Sequence, residues 1–150
     1  MQISAWLWVG LGGFIGSVAR YAVALALSPA APGRFPWATF AVNCLGCALI
    51  GVLAGVLARP SVPESARLFL ATGVLGGFTT FSAFGLESFN LLRRGETGLA
   101  LFYILGSVVV GIVAVWWGLR RARRAMRKAR TRSSWRPPAT TAAISMPTAA

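Results

Sequence analysis

The stretch GGFTTFSAFGLESF, residues 76–89, carries the groups in this sequence that are best suited to ion chemistry. Within an otherwise apolar run it combines glycines, threonines, serines and a glutamate with four phenylalanines. Gly76-Gly77 followed by the β-branched pair Thr79-Thr80 is poor helix material, so we expect a helix to break there. Backbone carbonyls released by a break at a depth without water make a cation site.

The part of the stretch after the break suits an anion instead. Phe81, Phe84 and Glu87 follow one another at steps of three, which places them on a slowly winding stripe along one helix face. Lipid contact or core packing explains most aromatic stripes. Hydroxyl side chains are interleaved with this one, however, and they would find no hydrogen-bond partner in lipid: Thr80, Ser82 and Ser88. Aromatic ring edges are electropositive, so edge-on rings beside hydroxyl and amide donors can replace the water shell of a small anion.

Two further polar side chains interrupt apolar runs, and each has two interpretations. Asn43 must hydrogen-bond either to a neighbouring helix or to a permeating species. Arg20 either extends to the lipid headgroups or presents a fixed positive charge at a water-filled vestibule. Cys44 and Cys47 form a CxxC motif without the further ligands or the βαβ setting of a metal or redox site, so we interpret them as packing residues.

The composition excludes most other chemistry. The chain of 150 residues is 56% hydrophobic and 12% charged, whereas a soluble domain carries about 25% charged residues. It contains no histidine, and its three acidic residues are Glu64, Glu87 and Glu96. Acid–base and triad chemistry therefore lack their residues, and we expect no enzyme.

Four segments are long enough to cross a membrane, which takes ~20 apolar residues per helix. They are predicted at about residues 3–27, 37–58, 68–92 and 99–119. We expect an all-α membrane protein with a four-helix transmembrane domain over residues 1–120 and a third helix broken near its middle. The tail, residues 121–150, begins with a basic run, and its composition from Thr131 onward predicts disorder.

The basic residues predict an orientation. Nine of the fifteen Lys/Arg lie between Arg120 and Arg136, directly after the last apolar segment. Such a run favours anionic lipid headgroups over nucleic acid, and no nucleic-acid partner is expected. The N-terminus, second loop and tail carry eleven Lys/Arg against three in the first and third loops. We therefore predict a multi-pass protein of the cell inner (plasma) membrane with both termini in the cytoplasm.

From about Gly12 to Leu119 the chain resembles the fluoride channels of the Fluc (CrcB) family. The resemblance rests on three strings: GGFIGSVARY at 12–21, FAVNCLGCALIG at 40–51 and GGFTTFSAF at 76–84. It implies an antiparallel dimer of four-helix subunits with two anion pores and a structural sodium ion at the interface. It implies a fluoride pathway lined by Asn43, Thr80, Phe81, Ser82, Phe84, Glu87, Tyr103 and Ser107. It also implies that Arg20 lies in the vestibule and that the carbonyls of Gly76 and Thr79, from both subunits, bind the sodium ion.

Two positions differ from the pattern of that family. Ala83 stands where the family often has threonine, and Gly111 stands where some members keep a second serine. The phenylalanines are intact, but the extent of the hydrogen-bonding track beside them is left open.

The resemblance implies passive export of fluoride, which would lower its cytoplasmic concentration. A homodimer of antiparallel subunits needs a weak Lys/Arg bias, so the partner is either a second copy or a paralogous subunit of an obligate heterodimer. A proton-coupled multidrug transporter of the small four-helix type is an alternative. It needs a membrane-embedded carboxylate, usually in the first helix, and residues 1–63 contain no acid. A non-conducting partner subunit is a further alternative, which the intact Asn43, Phe81 and Phe84 disfavour.

Overall fold

The computed structural model of the chain describes residues 2–27 and 35–133. These residues form α1 (Gln2–Leu27), α2 (Trp37–Leu57), α3 (Glu64–Arg67), a π-helical segment (Leu68–Leu75), α4 (Gly76–Phe78), α5 (Phe81–Arg93) and α6 (Thr97–Ser133). Four stretches, at residues 3–27, 37–57, 64–93 and 97–128, are long and apolar enough to cross a membrane. The prediction of an all-helical chain with four spans is confirmed for the part that the structure describes. Most of the first loop, including Arg34, lies outside it.

The third span is composite, as the sequence predicts. It runs through α3, the π-helical segment and α4, and it resumes as α5 after two extended residues. Those residues are Thr79, with φ −79° and ψ 157°, and Thr80, with φ −147° and ψ 115°. Gly76 and Gly77 themselves remain helical within α4. The break is therefore confirmed, and it lies at the two threonines rather than at the glycines before them.

The first half of this span packs closely on α1. A Cβ built at Gly16 would lie against the Val74 carbonyl and only 2.8 Å from the backbone nitrogen of Phe78. Gly73 likewise meets the backbone of Gly12, with 2.9 Å from its hypothetical Cβ to the Gly12 Cα. Glycine is required at such crossings because any side chain would separate the two backbones, and packing drives helix association in lipid.

The second half of the fold is built on α2 and α6, which pack along most of α2. Gly51 of α2 lies against the backbone of Val115 in the same close manner. Near one end of this pair a small core forms around the buried residues Leu91, Ala100 and Tyr103, with Phe35, Phe40, Phe84 and Leu99 packed around it. The part of the third span before the break thus packs on α1, and α5, after the break, packs on α6.

The last helix is longer than the predicted span. It continues through the basic run to Ser133 instead of ending at Leu119. Arginine, lysine, alanine and methionine are strong helix formers, so the helix does not stop where its hydrophobicity does. Disorder was predicted from Thr131 onward, but residues 131–133 are helical. Residues 134–150, the remainder of the predicted disordered tail, lie outside the described residues.

Candidate functional site

Asn43 of α2 braces the break in the third span. Its Nδ2 donates to the Thr80 carbonyl at 3.0 Å, and its Oδ1 accepts from the Thr80 backbone N–H at 2.9 Å. The amide thus replaces hydrogen bonds that an uninterrupted helix would supply to the backbone. Of the two interpretations of Asn43, the bond to a neighbouring helix is observed. It uses one of the two N–H groups on Nδ2, so the second interpretation is left open.

Arg20 of α1 approaches the same break from the other side. Its Nε donates to the Gly77 carbonyl at 3.2 Å, and the Ser17 hydroxyl lies 3.5 Å from the same oxygen. Gly77 is one of the last residues before the break, where helical carbonyls lose their usual donors. Arg20 therefore satisfies an exposed helix end, and it does so from a half-buried position. The predicted vestibule role is not tested by this contact.

The carbonyls of Gly76 and Thr79 are deprived of their ordinary helical donors. In a continuous helix the N–H of Thr80 would bond to Gly76, but it donates to Asn43. The N–H of Ala83 would bond to Thr79, but it donates to Thr80 Oγ1 at 3.3 Å, which caps α5. The two carbonyl oxygens that are predicted to bind a cation thus lack these helical donors. Oxygen ligands of this kind suit a hard cation.

The aromatic stripe forms a ladder of rings. Phe81 and Phe84 lie with ring centroids 5.6 Å apart, and Phe84 lies 5.2 Å from the ring of Tyr103. Phe81 is 84% exposed and projects from the chain, whereas Tyr103 is fully buried. Ser82 lies beside Phe81, and its hydroxyl is 3.3 Å from that of Thr80. The stripe therefore runs from the buried core to an open surface at the break.

Glu87 lies at the buried end of this ladder and accepts two hydrogen bonds. The Thr39 hydroxyl donates to Oε1 at 2.7 Å, and the Tyr103 hydroxyl donates to Oε2 at 2.8 Å. Both carboxylate oxygens are therefore held by side chains of other helices. Thr39 was not predicted, although it precedes Asn43 by four residues and so shares a face of α2 with it. That spacing is the signal that could have identified it.

A pocket of about 440 Å³ lies beside the break. Its lining includes seven of the predicted residues: Asn43, Gly76, Thr79, Thr80, Phe81, Phe84 and Ser107. The Ser107 hydroxyl is buried and has no hydrogen-bond partner among the described residues. The other predicted residues, Arg20, Ser82, Glu87 and Tyr103, lie outside the lining. The structure thus brings five of the predicted anion-path residues and both predicted cation ligands to one site, with a hydroxyl that has no partner among the described residues.

Cys47 and Gly111 also lie at or near the pocket. Cys47 lines the pocket, and a Cβ built at Gly111 would lie 3.3 Å from its sulfur. Both cysteines are free thiols, and the described residues hold no cluster of three potential metal-ligating side chains. A side chain at position 111 would therefore require Cys47 to shift by a few tenths of an ångström. Nothing in the structure explains the alanine side chain at position 83.

Comparison with known proteins identifies a family for this chain. A family model described as CrcB-like protein, Camphor Resistance (CrcB), matches residues 7–119. A protein of Novosphingobium aromaticivorans named fluoride-specific ion channel FluC is 53% identical over 119 residues, which cover 78% of this chain and 94% of that protein. Proteins of the same name from Methylobacillus flagellatus and Chlorobium luteolum are 48% and 52% identical, over 79% and 78% of this chain and 94% and 91% of their own lengths.

Proposed function

This chain belongs to the CrcB family, and on that premise we propose that it is a fluoride-specific ion channel of the inner membrane. The relatives that carry this name align with it over nearly their whole lengths. The structural observation that carries the proposal is the pocket beside the break. There Phe81 and Phe84 stand next to the amide of Asn43 and the hydroxyl of Ser107, which has no partner in the described part of the chain.

Fluoride would pass this pocket after losing its water shell. The electropositive edges of Phe81 and Phe84 supply part of the replacement. The second amide N–H of Asn43 and the hydroxyl of Ser107 supply hydrogen bonds, because neither is consumed within the described residues. Flow through such a path is passive. It runs outward when fluoride that entered as a weak acid has accumulated in the cytoplasm.

Tyr103 and Glu87 serve this path by holding it in shape. The Tyr103 hydroxyl is bonded to Glu87, so it is not free to donate to fluoride in this arrangement. Its ring instead supports Phe84 at 5.2 Å, and Thr39 fixes the other carboxylate oxygen. We assign these three residues a positioning role, in which the carboxylate orients the tyrosine ring that orients Phe84.

We further propose that two chains pair as antiparallel subunits around a sodium ion. The carbonyls of Gly76 and Thr79 would hold the ion, which would thereby replace the donors that these oxygens lose at the helix break. One chain offers two such oxygens, which is fewer than a hard cation takes, so a second chain would complete the set. Phe81, at 84% exposed, also needs a further wall to become part of a closed path.

The charge distribution supports a partner other than a second copy. With eleven Lys/Arg on one side against three on the other, this chain has a strong preference for one orientation. In that case the antiparallel partner would be a paralogous subunit with the reverse bias. Mapping the C-terminal tail from both faces of the membrane tests this hypothesis. Tails found in equal numbers on both faces would establish dual orientation and refute the heterodimer.

Fluoride efflux from liposomes that contain the purified protein alone tests the channel. If two copies of this chain form the channel, wild-type protein should release fluoride while retaining chloride, and Phe81→Ile should reduce the fluoride flux by tenfold or more. Phe89→Ile is the matched control, because Phe89 is also exposed on α5, at 61%, but does not line the pocket. Well-folded wild-type protein without fluoride flux would exclude a homomeric channel, and equal loss in both variants would exclude the assigned path.

A further inference from the structure

The basic end of α6 extends beyond the membrane as a continuous helix. At 1.5 Å per residue, the 37 residues of α6 span ~55 Å, whereas the hydrocarbon core is ~30 Å thick. Residues 97–119, the apolar part, account for ~34 Å of that length. The remaining ~20 Å begins at Arg120 and must therefore lie at the headgroups or in the adjoining water.

Packing against α2 and its following loop fixes the direction of this extension. Ala122 is only 6% exposed and lies against Gly55 of α2. Four residues further along α6, Met126 accepts a hydrogen bond at its sulfur from Arg59 Nε at 3.3 Å. The extension is thus attached along one face, and its other faces are presented outward.

Two arginines at the start of the extension are held on tryptophan rings. The guanidinium of Arg120 lies 4.0 Å from the ring centroid of Trp116, and that of Arg121 lies 4.5 Å from the ring centroid of Trp117. Tryptophan favours the membrane interface, so these pairs place two guanidinium groups at the depth of lipid phosphates. A guanidinium whose central carbon lies over a ring can still direct N–H groups toward a phosphate.

The carboxylates of this chain do not compensate these charges. Glu64 pairs with Arg67 at 3.9 Å, and Glu87 is bonded in the buried site. Glu96, the remaining acid, precedes the opposite end of α6. Four arginines at the start of the extension are exposed: Arg120, Arg121, Arg123 and Arg124. A concentrated positive surface at headgroup depth attracts anionic lipid.

We propose that Arg120, Arg121, Arg123 and Arg124 form a binding site for the headgroup phosphates of anionic phospholipids. A lipid is the occupant that the position of the site favours over a nucleic acid, because the first two arginines are fixed on interfacial tryptophans directly beyond the apolar part of α6. The site lies apart from the pocket beside the break, so it does not depend on the proposed channel function.

Counting bound lipids by native mass spectrometry tests the proposal. The full chain in detergent is titrated with phosphatidylglycerol or with phosphatidylcholine of the same acyl chains. Wild-type protein should retain phosphatidylglycerol preferentially, and salt should weaken that preference. Each arginine contributes about fivefold, so Arg120→Gln/Arg121→Gln should lower the preference by up to ~25-fold.

Arg93→Gln/Arg94→Gln is the matched control, since it removes the same charge from the exposed end of α5. It should leave the preference unchanged. If the first double variant does not elute as a folded protein, Arg123→Gln/Arg124→Gln replaces it with the same expectation. Equal retention of both lipids by wild-type protein, or an equal effect of the control, would overturn the site. Binding of a labelled single-stranded RNA in preference to phosphatidylglycerol, abolished by Arg120→Gln/Arg121→Gln, would overturn the choice of a lipid.

Discussion

Replacing Asn43 with leucine should destabilise the protein at the break in its third span. The substitution keeps the approximate size of the side chain but removes both hydrogen bonds to Thr80. A polar backbone group left without a partner costs ~1–3 kcal/mol, and two groups are affected. Thr80 is half-buried, so water can partly replace the amide, and we expect the lower end of the range. The free energy of unfolding should therefore fall by ~2–3 kcal/mol in total.

Unfolding in mixed micelles with an increasing fraction of sodium dodecyl sulfate, followed by circular dichroism, measures this change. Asn90→Leu is the matched control because Asn90 is a half-buried asparagine of α5 whose side chain makes no hydrogen bond to another described residue. Its effect should stay within ~0.5 kcal/mol, as for most substitutions without a specific mechanism. Fluoride efflux should fall in Asn43→Leu together with stability, because the same bonds shape the pocket.

The two readouts separate bracing from direct contact with the ion. If Asn43→Leu abolishes flux but unfolds like Asn90→Leu, the bonds to Thr80 contribute little and the amide acts mainly as a fluoride ligand. That outcome would refute the reasoning from the helix break. Loss of stability with normal fluoride flux would show that the bonds between Asn43 and Thr80 do not shape the fluoride pathway.

Two further substitutions test the packing and the buried network. Gly16→Ala should lower the free energy of unfolding by ~1–3 kcal/mol, because the new methyl group would overlap the backbone of the third span. Gly10→Ala is the control, and it should be neutral or stabilising because no atom lies within 4 Å of its added Cβ. Equal effects in the same unfolding assay would exclude that crossing. Tyr103→Phe should cost ~1.5–3 kcal/mol through the unpaired Glu87 oxygen and lower fluoride flux, while Tyr21→Phe, at 64% exposed, should change neither. Wild-type flux and stability in Tyr103→Phe would contradict its positioning role.

The break could be predicted from the sequence, although its location could not. Two glycines and two β-branched threonines in a span indicate a weak helix, but propensity does not decide which residue leaves it. The decision comes from tertiary contacts, because Asn43 offers Thr80 a donor and an acceptor. The glycines stay helical and instead allow close contact with α1. The π-helical segment before them gave no sequence signal, and it packs on the same helix.

The end of α6 shows a different limit of sequence reasoning. Hydropathy predicted where the membrane ends, near Leu119, but a helix formed of Arg, Ala, Met and Lys has no reason to end there. The spacing of Thr39 from Asn43 could have placed it on the same face of α2, but it could not have identified its partner. A threonine hydroxyl in a helix usually bonds to the preceding turn, and only the fold shows that this one reaches Glu87, 48 residues away.

The same two extended residues create the conditions for both proposed ions. Thr79 and Thr80 end one helix, which frees carbonyls on the α4 side, and they begin another, whose first turn carries Phe81. Asn43 accepts the Thr80 N–H that a continuous helix would give to the Gly76 carbonyl, so that carbonyl loses its helical donor. A cation bound to them would fix the start of α5 and hence the position of Phe81 and Phe84. The cation would then act as a structural element of the anion path, and its removal should reduce fluoride flux without any change to the phenylalanines.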